Sequence, residues 1–273
     1  MTIGIFIQAF LLTLLAGAST AIGSFLAFLK IKNENRILSF GLGFSGGVMI
    51  YLSFVEILPK SISYFAKANA DANANLLGVL CFFIGMIVAF LIDSFIPKDV
   101  NLHEFKSTSE FPKTEIDSNV KNSIHRTAKF TAIAITLHNF PEGFATFISA
   151  MDNFTFGISM AIAVAIHNIP EGLAVSLPVY YVTKSKAKAF KISLLSGLSE
   201  PLGAIVGYFI LAPIFGDYNI AVGFGIIAGI MVFISVDSLF PNSKLSTKGH
   251  ESIIGIMIGM AIMAISLILL APK

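Results

Sequence analysis

The chain has one cysteine, Cys81, and no tryptophan among its 273 residues. A single thiol closes no intrachain disulfide and builds no thiolate cluster. Any metal must then be held by imidazole, carboxylate, amide or thioether, which argues against a Cu(I) specialist. Charge is scarce as well: 12% of the residues are Asp, Glu, Lys or Arg, against 55% hydrophobic, and the mean hydropathy is +0.83. That balance is too apolar for a soluble domain and suits a polytopic helical membrane protein. The net charge of +2 comes with no basic patch interleaved with exposed aromatics, which removes nucleic acid as a partner. No basic residue precedes the first apolar run, whereas Lys30 and Lys32 follow it, the reverse of a cleavable signal peptide. The first run is therefore expected to be retained, with its N-terminus outside.

What the chain does have is apolar length. Runs of about 20 residues, enough to cross a bilayer, fall near 4–29, 38–59, 75–96, 127–149, 155–181, 188–213, 219–240 and 252–271. The expectation is an all-α integral membrane protein, one polytopic domain over 1–273 with eight transmembrane helices. All Lys and Arg except Lys60, Lys67 and Lys273 fall after helices 1, 3, 5 and 7. The positive-inside rule then puts those loops in the cytoplasm and both termini outside. Residues 97–126 form the only long polar segment, interrupted by Pro112, and are expected to be a flexible cytoplasmic loop.

Two segments repeat. GVMIYLSFVEILP at 47–59 aligns with GIMVFISVDSLFP at 229–241, an offset of 182, and GASTAIG at 17–23 aligns with GLSEPLG at 197–203, an offset of 180. By the loop charges the paired helices run in opposite directions. The repeat is thus expected to be inverted, relating helices 1–3 to 6–8 and helix 4 to helix 5, the layout in which transporters place substrate at mid-bilayer.

The chemistry sits in two copies of a hexapeptide, His138-Asn139-Phe140-Pro141-Glu142-Gly143 and His167-Asn168-Ile169-Pro170-Glu171-Gly172. Ionisable residues inside a membrane span cost about 2.5–3.5 kcal/mol on insertion scales and mark functional sites by default. Positions i and i+4 share a helix face, so His138 with Glu142, and His167 with Glu171, each present imidazole beside carboxylate. Asn139 and Asn168 add an amide oxygen on a neighbouring stripe. Pro141 and Pro170 clash with the carbonyls of Leu137 and Ile166, which predicts a kink in each helix.

Glu200 in helix 6 is a further intramembrane acid, and its repeat mate is the uncharged Thr20. Glu56 and Asp237 precede Pro59 and Pro241 and are expected near helix ends, as gate residues or simply solvated; Asp93 is expected at the interface. No Lys or Arg falls deep in any of these spans, so protons or metal ions must supply the compensating positive charge. Met49 and its mate Met231 are core filler on general grounds, although a thioether can ligate a borderline metal. An imidazole, carboxylate and amide set suits Zn²⁺, Fe²⁺, Mn²⁺ or Co²⁺.

The doubled HNxPEG motif, Glu200-Pro201 and the eight-helix plan resemble the ZIP (Zrt-, Irt-like protein) metal transporters, most closely their bacterial ZupT-like branch, over essentially the whole chain. The resemblance implies uptake of zinc, with iron, manganese, cobalt and cadmium as further candidates, into the cytoplasm across a bacterial inner membrane. It implies a binuclear site: one ion at His138, Glu142, His167 and Glu171 with Met49, the other at Asn139, Glu142, Asn168, Glu171 and Glu200. It also implies a homodimer embedded in the lipid bilayer and no prosthetic group, the metal being substrate.

Two other function classes compete. A proton-coupled carrier of a small solute would use the buried acids but leave the His-Asn pairs unexplained. An intramembrane metallohydrolase would need the H-E-x-x-H spacing, which the sequence does not contain.

Overall fold

The computed structural model describes residues 3–28, 34–68, 73–94, 136, 139–211, 217–245 and 249–270, and every regular element among them is helical. In chain order the helices are α1 (Ile3–Leu26), α2 (34–68), α3 (Ala74–Ser94), α4 (139–152), α5 (Phe154–Thr183), α6 (186–211), α7 (217–245) and α8 (Glu251–Leu270). Seven of them are long and apolar enough to cross a bilayer. The remaining expected span, near 127–149, is described only at residue 136 and from 139 on, and the 97–126 loop lies outside the described residues.

The ends of α2 and α7 differ from expectation. Neither helix stops at its proline. A five-residue π-helical turn, Ser53–Ile57 in α2 and Ser235–Leu239 in α7, precedes Pro59 and Pro241, and the helix then continues to Ala68 and Leu245. The Leu58 N–H donates to the Ser53 carbonyl and the Phe240 N–H to the Ser235 carbonyl. The wider turn takes in one extra residue, which shifts the hydrogen-bond ladder past a residue that has no N–H. In both places a serine hydroxyl opens the turn: Ser53 Oγ donates to the Met49 carbonyl at 2.7 Å and Ser235 Oγ to the Met231 carbonyl at 2.8 Å.

The prolines of the hexapeptides lie within helix: α5 is helical on both sides of Pro170, and α4 is helical from Asn139 through Pro141, Leu137 lying outside the described residues. An interruption falls in α6, at Leu198, where Pro201 would clash with the Gly197 carbonyl one turn back. That break leaves Glu200 in the first turn of the second segment, fully buried.

Packing divides the helices by depth. About seventy per cent of the apolar window is buried in α2 and α5 (72% and 67%), but only 28% in α3 and 22% in α8, so the latter two form the rim. Their outward residues, such as Phe83, Ile87, Met257 and Ile265, are large and exposed, as a surface facing lipid requires.

Inside, helices approach through glycine, because lipid tails supply no hydrophobic drive between helices and close backbone contact must replace it. A Cβ on Gly143 would strike the Glu200 carbonyl, and one on Gly172 the Thr20 carbonyl. Gly17 and Gly197 likewise stand against each other's backbone. These contacts obey the sequence offsets: Gly143 and Gly172 are mates, and so are Glu200 and Thr20. Direction is legible too. Gly43 and Gly47 of α2 meet Ser252 and Ile256 of α8, a parallel run, whereas Gly17 and Thr20 of α1 meet Gly197 and Ser193 of α6, an antiparallel one. Overpacking a site of this kind typically costs about 1–3 kcal/mol, so Gly172→Val should lower the thermal midpoint of the detergent-purified protein by several degrees. An unchanged melting curve would show that α1 and α5 do not depend on this contact.

Candidate metal centre

α4 and α5 form a tight antiparallel hairpin. Asn153 alone separates them, and its side chain caps α5 by accepting from the Phe156 N–H at 2.9 Å. Past this corner Gly157 lies against Ala150, which brings the two hexapeptides to the same depth. Glu142, His167 and Glu171 are each at most 1% exposed, and one ligand atom from each lies within 4.8 Å of the others.

The histidine tautomer follows from its neighbours. Nδ1 lies 3.0 Å from the Ala163 carbonyl, which can only accept, so Nδ1 carries a hydrogen, and in the neutral ring the lone pair is on Nε2. Nε2 faces Glu142 Oε2 at 3.3 Å. A proton bridges this pair when the ring is charged, and a metal ion can take the proton's place when it is neutral. Two ligands about 2.0–2.2 Å from one tetrahedral Zn²⁺ are about 3.4 Å apart, so the spacing is compatible with a shared metal.

A second layer continues from Asn168. Its Nδ2 donates to the Ala16 carbonyl at 3.0 Å and to Glu200 Oε1 at 2.5 Å, tying α5 to α1 and α6. Asn139 Nδ2 donates weakly to the Ser196 carbonyl at 3.5 Å. Four buried oxygens then have no hydrogen-bond partner among the described residues: Oδ1 of Asn139, Oε1 of Glu142, Oδ1 of Asn168 and Oε2 of Glu200. Buried acceptors are rarely left unmet, and unpaired ones cost about 1–3 kcal/mol each. This oxygen-rich set fits a hard or borderline divalent cation. Glu142 belongs to both layers, one oxygen toward His167 and the other unpaired. The sequence contains no Lys or Arg from Asn139 to Thr183, so these helices bring no countercharge of their own.

Of the residues expected at the site, the structure gathers Glu142, His167 and Glu171 directly and joins Asn168 to Glu200. Asn139 is buried on the same stripe of α4 as Glu142. Met49 is fully buried within the apolar core of α2. His138 lies outside the described residues. An apolar cavity of about 220 Å³ between α1, α2 and α5 touches Pro170 beside Glu171, but its lining of Phe44, Gly41, Leu173 and their neighbours offers no ligand atom.

Lys60 and Lys67 fall beyond the expected span 38–59, yet both lie inside the continued α2. The Lys60 Nζ stands 4.0 Å from Glu56, 3.8 Å from Asp152 at the α4–α5 corner, and 3.3 Å above the Phe156 ring. The Glu56/Lys60 spacing of four residues was the signal available, since such pairs meet on a helix face.

Comparison with known proteins places this architecture. The family model described as ZIP Zinc transporter matches residues 1–267. The protein named Zinc transporter ZupT of Campylobacter jejuni is 54% identical, with 96% of both chains aligned. Proteins of the same name from Streptococcus mutans and Clostridium perfringens are 48% and 44% identical, each with 96% of this chain aligned, to 97% and 96% of their own lengths.

Proposed function

The chain belongs to the ZIP zinc transporter family, and from that premise we propose that it carries Zn²⁺ into the cytoplasm through a binuclear site between α4, α5 and α6. It is a multi-pass membrane protein that transports divalent metal ions, not an enzyme. The metallohydrolase reading falls with the family.

The observation that carries the proposal is the convergence of Glu142, His167 and Glu171 within 4.8 Å, with His167 Nε2 facing Glu142 Oε2 at 3.3 Å in a fully buried position. One ion takes His138, Glu142, His167 and Glu171, with Met49 as a thioether partner. The other takes Asn139, Glu142, Asn168, Glu171 and Glu200, with Glu142 and Glu171 bridging. Imidazole in the first set favours Zn²⁺, Fe²⁺ and Co²⁺, while the all-oxygen second set tolerates Mn²⁺ and Cd²⁺. The matched glycine contacts and matched π-helical turns support an inverted repeat, helices 1–3 with 6–8 and 4 with 5, around this site. Asymmetry enters with Glu200, whose mate Thr20 brings no charge. The inward direction, the bacterial inner membrane, both termini outside and a homodimer are further parts of the same reading.

The test is metal uptake by proteoliposomes across a panel of Zn²⁺, Fe²⁺, Mn²⁺, Co²⁺ and Cd²⁺ at two pH values, with equilibrium binding measured alongside. Zn²⁺ should be accumulated, and uptake of none of the five ions would sink the proposal. The binding forms are neutral imidazole and ionised carboxylate, so acid competes with metal. Apparent Zn²⁺ affinity should weaken as pH is lowered from about 7 to 5, up to about tenfold per pH unit for each proton displaced. Affinity that is flat across this window would remove the His and Glu ligands from the model of binding.

A further inference from the structure

Buried serine and threonine hydroxyls in membrane helices usually satisfy themselves on a carbonyl of their own helix. Thr13, Ser53, Ser159 and Ser235 do so here, each on the carbonyl four residues back. Thr146 and Ser149 of α4 do not. Both are fully buried, and neither hydroxyl has a hydrogen-bond partner among the described residues. Their spacing from Glu142, four and seven residues on, keeps all three on one helix face. Asp152 follows three residues later, at the corner where Lys60 holds it. The stripe thus runs from the metal site to the α4–α5 end of the bundle. It has no counterpart on α5, where the residues at the repeat offset are Val175 and Pro178.

We propose that Thr146 and Ser149 line the limb of the ion path between the metal site and the α4–α5 end, and that Lys60 holds its mouth shut. The cargo of this limb is a partly dehydrated divalent cation. An ion moving from water toward Glu142 loses part of its hydration shell, and hydroxyl oxygens that make no bond in the closed state can replace it step by step. Lys60 closes the mouth because its ammonium lies between Glu56 of its own helix and Asp152 of α4, over the Phe156 ring of α5. Opening requires α2 to part from the α4–α5 corner, which breaks these contacts together. The residue at the repeat offset from Lys60 is Asn242, which carries no charge.

The inference rests on the transporter reading, and the experiment separates the two. Thr146→Val and Ser149→Ala together should lower the Zn²⁺ uptake rate in proteoliposomes about tenfold, the order expected for lost contacts to a charged group, while equilibrium Zn²⁺ affinity in detergent changes by less than about twofold. An unchanged rate overturns the path, and so does an equal loss of affinity, which would assign the hydroxyls to folding or to the site itself. A second measurement uses the lone native thiol, Cys81, which is buried. In a Cys81→Ala background, Ser149→Cys should react with a small cationic thiosulfonate, more slowly under saturating Zn²⁺, and at least about threefold faster when Lys60→Met is added, since an exposed ion pair contributes on the order of 1 kcal/mol or less and this one is half-buried. A thiol at position 149 that reacts only after denaturation, or whose rate ignores both Zn²⁺ and Lys60→Met, overturns the proposal. If Glu171→Ala left uptake intact, the transporter site would fail instead, whatever the hydroxyls did.

Discussion

Proteoliposomes carrying Glu142→Ala should take up Zn²⁺ at least about a hundredfold more slowly than those carrying the unaltered chain, with Glu142→Gln close behind. Glu142 presents one oxygen to His167 Nε2, and its second oxygen is buried with no hydrogen-bond partner among the described residues. In the proposed binuclear site, removing it takes a ligand from both ions at once. Charge-assisted contacts are worth about 1.5–3 kcal/mol each, so the loss of two corresponds to roughly two to four decades in binding. Glutamine keeps the shape but not the charge, and it leaves Glu171 and Glu200 as the only carboxylates at the site. The variant should still fold, because its backbone contact with α6 runs through Gly143 rather than through the side chain. A melting curve near that of the unaltered chain, with flux lost, is the expected pair of results. Flux within threefold of the unaltered chain would mean that the metal passes elsewhere.

The second large effect is on selectivity. Among the described residues His167 is the imidazole at the site, its Nδ1–H anchored on the Ala163 carbonyl and its Nε2 facing Glu142. Such an anchor fixes both tautomer and ring orientation, and disturbing partners of this kind alone typically costs about 10–100-fold in metal affinity. His167→Ala should weaken Zn²⁺ and Co²⁺ binding by about a hundredfold, because these ions favour nitrogen, but Mn²⁺ binding by much less, because the oxygens remain. His167→Asp should go further and invert the order, placing Mn²⁺ ahead of Zn²⁺ in a competition assay. If all three metals weaken equally, His167 acts by shaping the pocket rather than as a ligand.

Much of the architecture could be read before any coordinates. Eight apolar runs match seven full-length helices and the described part of an eighth to within a few residues at most ends. Their length is a property of the bilayer, so composition alone reveals it. The clearest failure came at Pro59. A proline with an acid three residues earlier reads as a helix end, yet the π-helical turn at Ser53–Ile57 carries α2 on to Ala68. Ladder re-registration leaves no mark in periodicity, because it adds one residue to a single turn. The same failure hid Lys60, which falls beyond the expected span.

An interruption that the sequence did not mark falls at Pro201. Pro170 carries the same intrinsic clash inside a continuous helix, and what differs is the neighbour. Gly197, whose carbonyl Pro201 displaces, lies directly against Gly17 of α1. No local sequence rule contains that information.

By itself the sequence determined the solvent of this protein, its helical class, its family and the candidate residues for binding a metal. Each of these follows from local chemistry: hydropathy sums over one run, and a histidine with a glutamate four residues on shares a face wherever the helix goes. Tertiary structure decided which of those residues meet. It set His167 Nε2 against Glu142 Oε2, tied Asn168 to Glu200 across two helices, and left the hydroxyls of Thr146 and Ser149 buried without a hydrogen-bond partner among the described residues. Those outcomes depend on how closely α1, α4, α5 and α6 approach, and that distance is fixed by glycines on one helix meeting the backbone of another, far away in the chain. The doubled hexapeptide supplies the candidate ligands; only the packing of its two helices brings Glu142, His167 and Glu171 together.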